Sequence, residues 1–173
     1  MTSKPSAVQT EIRQTRPFSS RRQEATIALL RTASVVSRVL ERVVEPAGLS
    51  LAQYNALRIV RGAGSAGIPT LAVRERMIQE GTTITRILDK LEASGLVRRE
   101  RSTPDRRQVV CYVTPEGRRL LEGLDPKVNA ADEKVVTGLG AGELDRLISM
   151  LDDIRSRNAG RGAARTAKVA REP

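Results

Sequence analysis

The sequence predicts a mainly α chain carrying one small β-hairpin. Apolar residues recur at helical spacing in six separated stretches, and a short, strongly basic pair of β-rich segments interrupts them. Glycine, proline and capping Ser or Thr residues punctuate most of the boundaries.

Taken in order, residues 1–21 are rich in Ala, Ser, Thr and Arg with little to bury, and read as a disordered basic arm. From Arg22 to about Val44, Ile27, Leu30, Ala33, Val36, Val39, Leu40 and Val43 keep a helical period over about six turns. Glu45, Pro46, Ala47 and Gly48 end that helix, so the first segment is 22–48. Ser50 reads as the N-cap of a helix carrying Leu51, Tyr54, Leu57 and Val60, followed by a loop with Gly62, Gly64 and Gly67. Thr70 is suited to cap a third helix, Leu71 to Ile78, and the connection Gln79-Glu80-Gly81 suits a tight turn.

The next stretch is the most informative. Ile84, Ile87, Leu88 and Leu91 line one face of a helix, leaving Thr82, Thr83, Arg86 and Lys90 on the other. Gly95 can take positive φ just past the helix end, so the helix should stop near Ser94. Val97 to Arg101 and Gln108 to Val113 then form two strands joined through Ser102, Thr103, Pro104 and Asp105. Arg98, Arg99, Arg101, Arg106 and Arg107 concentrate positive charge on this hairpin. A helix followed by a basic hairpin is the plan of a winged helix-turn-helix, here spanning 49–114.

Thr114-Pro115-Glu116 supplies a cap, a proline at the first helical position and an acid in the first turn of a fifth helix, which Asp125-Pro126 should interrupt or kink. Gly138, Gly140 and Gly142 precede a last helix, about Glu143 to Arg157, with Leu144, Leu147, Ile148, Leu151 and Ile154 in register. Segment 115–157 therefore holds the C-terminal helices, and 158–173 reads as a second disordered basic tail. The apolar stripes of the first and last long helices exceed what a small monomeric winged domain can cover. They are expected to interlock in a homodimer, with Leu144, Leu147 and Leu151 at the interface.

Charge and composition narrow the function. The net charge is +10, of which residues 1–22 carry +4 and residues 155–173 carry +5, so the hairpin is a local concentration in an otherwise balanced body. Those tails are either phosphate-seeking arms or solubilising ends. With no histidine, one cysteine and no Walker or dinucleotide fingerprint, neither an enzyme, a metal site nor a cofactor is expected. No apolar run is long enough for a membrane span or a signal peptide, so the expectation is a cytoplasmic protein with no membrane partner. Double-stranded DNA is the expected partner.

On these residues the chain resembles the MarR family of bacterial winged-helix transcription regulators, from about Leu49 to Leu121. The resemblance rests on Thr85-Arg86-Ile87-Leu88-Asp89-Lys90-Leu91-Glu92 with Gly95-Leu96-Val97, and on Asp105-Arg106-Arg107 running to Thr114-Pro115-Glu116-Gly117. It implies a homodimer joined through the first and last helices, two wings on a pseudo-palindromic operator, more often a repressor than an activator, and often a small-molecule pocket between the two regions. It also implies an Asp105–Arg107 pair that orients the wing and leaves Arg106 for the groove. The turn Ile78-Gln79-Glu80-Gly81 departs from the family's usual glycine, small apolar residue and Ser-Pro. Either Thr82 or Thr83 is then the first base-facing residue.

Arg86 is the foremost candidate for base readout, because a guanidinium can pair both O6 and N7 of guanine. The competing use is a salt bridge to Asp89 or Glu92. Thr82, Thr83 and Thr85 are suited to phosphates or thymine methyls, Lys90 to the backbone, and Arg99, Arg101, Arg106 and Arg107 to the groove or phosphates. Cys111 reads as a packed residue rather than a redox site. Tyr54, Arg58, Arg31 and Arg38 suit an aromatic-acid effector, and apolar packing with solvated charges explains them equally. An architectural, sequence-tolerant DNA binder that uses the wing and tails stands as the alternative function.

Overall fold

The computed structural model describes residues 6–79, 83–102 and 107–169, with side chains up to residue 159. Its helices are α1 (Ala7–Glu11), α2 (Arg21–Val44), α3 (Leu51–Gly62), α4 (Thr70–Glu75), α5 (Ile84–Ala93), α6 (Pro115–Val135) and α7 (Ala141–Val169). Three strands, β1 (Ile68–Pro69), β2 (Val97–Arg101) and β3 (Val109–Val113), form one antiparallel sheet in the order β1-β3-β2. Residues 1–135 make one compact unit and residues 136–173 a second.

In the first unit, α2 starts where Ser20 accepts a hydrogen bond from the Gln23 amide at 3.1 Å, and it ends in a short 3-10 turn closed by Gly48 at φ 75°. Its apolar stripe is only partly covered: Val44 is fully buried, whereas Leu30 is 62% exposed. α3 opens with a capping box, Ser50 and Gln53 bonding each other's backbone N–H at 3.2 and 2.9 Å. Its buried face, Tyr54, Ala56, Leu57 and Val60, meets Val73 of α4, Leu88 and Leu91 of α5, Val97 and Cys111 of the sheet, and Leu121 of α6 in a continuous core. That core sits beneath the helix-turn-helix and the base of the wing, and fixes both.

Several expectations need correction here. The arm 1–21 contains a helix: Ser6 caps α1, and Glu11 pairs with Arg31 of α2 at 3.2 Å. A five-residue helix leaves no readable periodicity in an Arg- and Ser-rich segment. Thr70 is the first residue of α4 rather than its cap, and its hydroxyl donates to the Val109 carbonyl at 3.2 Å, tying α4 to β3. α4 stops at Glu75, and Ile78, expected to supply an apolar contact, is 82% exposed while its N–H donates to the Asn55 side chain at 3.0 Å. Pro126 lies inside a continuous α6. Its missing N–H costs one bond to the carbonyl of exposed Glu122, which water can satisfy, while Leu124 and Val128 on either side stay buried.

β1 adds a third strand to the expected hairpin, pairing Ile68 with Cys111 and Pro69 with Val110. A proline is tolerated there because β1 is an edge strand. In the second unit α7 begins earlier than expected and its helical backbone runs through to Val169, past Arg157, so the tail 158–173 is helical over its described part. Among the described residues, no helix is long and apolar enough to cross a membrane.

Candidate nucleic-acid interface

α5 separates its two faces cleanly. Ile84, Ile87, Leu88 and Leu91 are buried, and Thr83, Thr85, Arg86, Asp89 and Lys90 are exposed. The helix ends in a Schellman turn: Leu96 N–H donates to the Leu91 carbonyl and Gly95 N–H to the Glu92 carbonyl, both at 2.9 Å, with Gly95 at φ 69°. The chain then enters β2 with Leu96 and Val97 buried, which places the wing against the C-terminal end of the same helix.

The start of α6 closes this junction. The Thr114 hydroxyl donates to the Gly95 carbonyl at 2.7 Å and accepts from the Gly117 N–H at 3.0 Å, while Thr114 N–H donates to the Leu96 carbonyl at 3.1 Å. Gly117 lies so close to this loop that a β-carbon there would stand 2.2 Å from the Leu96 carbonyl oxygen. Thr114-Pro115-Glu116-Gly117 therefore clamps helix α5, wing and α6 together. Sequence reasoning saw the cap but not the close approach, which only the neighbouring backbone reveals.

The arginines divide into distinct environments. Arg98 lies across from Tyr112 on β3, with its guanidinium 4.2 Å from the ring centroid, and pairs with Glu100. Arg99 faces the other way, as strand alternation predicts, and is folded onto α5. Its Nη2 lies 2.6 Å from Asp89 Oδ1 and 2.6 Å from Glu92 Oε2, its Nε 2.9 Å from Glu92 Oε2, and its backbone N–H donates to Glu92 Oε1 at 3.0 Å. The side chain is 22% exposed. Arg99, one of the arginines expected to reach DNA, is thus engaged with Asp89 and Glu92. Hydrogen bonding and charge from Arg99 hold the Glu92 carboxyl below the usual carboxylate range, and Glu92 and Asp89 in turn raise Arg99.

Arg86, one turn before Asp89, is exposed and makes no ion pair among the described residues. Arg101 ends β2 and is exposed; Arg107 is exposed and lines, with Leu71, Arg74, Thr85 and Arg99, a concavity between α4, α5 and the wing. Thr82, Asp105 and Arg106 lie outside the described residues, so the structure does not speak to them. Leu144, Leu147 and Leu151 are half-buried on α7, with Ile148, Met150 and Ile154 exposed beside them.

Away from this face, Cys111 is fully buried, its sulfur 3.7 Å from the Thr70 hydroxyl, and burial pushes the thiol up. This is a packed residue, not a reactive thiolate. Tyr54 is a core residue whose phenol is raised by burial, with the Arg58 guanidinium 5.7 Å from its ring centroid. A bidentate pair, Arg61 to Asp125 at 2.7 and 3.1 Å, joins α3 to α6.

The MarR family model matches residues 49–109, the span of the helix-turn-helix and most of the wing. The regulator TtmR of Methylorubrum extorquens is 37% identical over 97 residues, covering 53% of this chain; the chain spans about half of TtmR, 48%. A crystal structure of a MarR transcription factor from Planctomyces limnophilus is 34% identical, covers 79% of this chain and 98% of that one, and superposes with a TM-score of 0.61. A mutant Escherichia coli MarR in complex with operator DNA shares the fold at 23% identity, 73% and 90% coverage and a TM-score of 0.67. With a solved relative matched over nearly its whole length and the α5–wing junction built as described, the chain belongs to the MarR family of transcriptional regulators.

Proposed function

We propose that the chain is a homodimeric repressor that reads a pseudo-palindromic operator, α5 entering the major groove and the wing reaching the backbone or minor groove. The observation that carries base reading is the placement of Arg86: it is exposed on α5 while Asp89, the carboxylate at i+3 that could pair with it, is held by Arg99 together with Glu92. Thr83, Thr85 and Lys90 surround it on the same polar face as further contacts to phosphate or base, and Thr82, outside the described residues, is assigned the same kind of contact. Arg101, Arg106 and Arg107 supply the wing's contacts, Asp105 pairing with Arg107 to leave Arg106 for the groove, and Leu144, Leu147 and Leu151 join the protomers. Release by a small-molecule effector belongs to the same reading; Tyr54 is taken up by the core, which leaves the exposed Arg58 above its ring as the group able to meet an acidic ligand.

The test is selection of bound sites from random duplexes, repeated with Arg86→Ala. The intact chain should enrich a palindrome, and the variant should lose about 1 to 3 kcal/mol on it and relax preference at one position per half-site. Absence of any enriched site, with equal affinity for all duplexes, would replace the repressor with a sequence-tolerant architectural binder.

A further inference from the structure

We propose that Arg99 is a positioning and charge-shielding residue of the DNA interface, holding Asp89 and Glu92 of the recognition helix against the wing, and not itself a contact to DNA. The inference rests on the reading of α5 as the DNA-facing helix. Asp89 stands three residues after Arg86 on the outward side of that helix, with a side chain 53% exposed. Left alone, it and Glu92 would set two negative charges beside the phosphates that Arg86 and Lys90 must approach, and like charges juxtaposed at an interface are costly.

One guanidinium meets both carboxylates. Three of its five N–H donors are spent on them, two on Glu92 and one on Asp89. The same Glu92 also accepts the Arg99 backbone N–H, so the contact is made to the strand as well as to its side chain. β2 is an edge strand of the sheet, and this backbone bond ties its free edge to α5. Loss of the Arg99 side chain therefore unmasks the carboxylates while the backbone N–H of residue 99 keeps its acceptor on Glu92.

This differs from a phosphate contact in what can repair it. The measurement is a salt titration of affinity for the selected operator and for random duplex DNA, with melting midpoints alongside. It uses the intact chain, R99Q, D89N, and R99Q combined with D89N and E92Q. R99Q should weaken both duplexes by roughly tenfold at low salt, and neutralising the carboxylates in the combined variant should recover most of that loss and restore the salt slope. If the combined variant stays as weak as R99Q, with its slope lower by about one unit, Arg99 touches a phosphate and the inference is overturned. Should R99Q be unfolded at the assay temperature, D89N decides: affinity at or above that of the intact chain supports shielding, and a loss overturns it. An intact chain that binds no duplex would sink the regulator reading itself, whereas binding without rescue sinks only the role of Arg99.

Discussion

Arg86 and Arg99 are both basic residues within reach of Asp89, one along the helix and one from the wing, yet the fold gives them opposite fates. Strand β2 delivers Arg99 over the last turn of α5, where Glu92 accepts from its backbone and side chain together; Arg86 lies a turn further from the wing. This pairing has a pH signature. Arg99 depresses the Glu92 carboxyl, so the contact adds stability that is fully present above the unfolded-state value and is lost as pH falls through the folded one. Because Glu92 is partly exposed, solvent screening keeps the contribution small. The difference in melting midpoint between the intact chain and Glu92→Gln should be largest near neutral pH and should shrink through about pH 5 to 3. Parallel acid curves for the two proteins would show that the pair contributes nothing to folding. Helical spacing offered Asp89, three residues on, to Arg86, and Glu92 stood as a second carboxylate of the same helix. It could not show that the Schellman turn at Gly95 folds Arg99, seven residues after Glu92, back onto the same carboxylates.

At the level of elements, the junction of α5, wing and α6 was legible wherever one residue type has one strong conformational reason to be in place. Gly95 ends α5, Ser50 and Thr114 cap α3 and α6, and the apolar face of α5 is the one the periodicity marks. What escaped has no local period: a two-residue strand, a five-residue helix, and the close passage of Gly117 under Leu96. Thr70 misled because the helix begins at Thr70 itself, with Pro69 at the cap position, and the hydroxyl instead donates to the Val109 carbonyl thirty-nine residues away. The interruption offered at Pro126 does not occur, because breaking one exposed hydrogen bond costs less than uncovering the face of α6. The glycine is the sharper test. Gly117→Ala places a β-carbon against a backbone carbonyl that no side-chain rotation can clear, so it should destabilise by about 1 to 3 kcal/mol and weaken operator binding by displacing the wing. Gly123→Ala, on the same helix with nothing within 4 Å of the added carbon, should be neutral or gain up to about 1 kcal/mol. Denaturant unfolding of both variants checks this, and equal effects would mean that the α6 start is free to shift.

For the whole molecule, the long helices carry more apolar surface than the chain itself covers. Leu30 is 62% exposed on α2, and Ile148, Met150 and Ile154 are 56, 57 and 46% exposed on α7. Single exposed leucines need no explanation, but a stripe repeated along α7 with half-buried Leu144, Leu147 and Leu151 beside it is what a twofold interface uses. Leu147→Glu or Leu151→Glu should therefore convert a micromolar dimer to monomer in analytical ultracentrifugation. Each should also abolish operator binding, while leaving the melting of the winged unit, which has its own core, largely in place. The symmetry has a second consequence on the DNA. Two recognition helices on successive major-groove faces fix half-sites about 34 Å apart, so inserting roughly 5 base pairs between them turns one half-site to the far side of the duplex. Specific binding of the intact protein should vanish with that insertion and return when roughly 10 are inserted only if the protomers can separate that far. A monomer that binds the operator as well as the intact protein, or an affinity indifferent to the spacer, would exclude the rigid twofold dimer. The α5 face would then read each half-site independently.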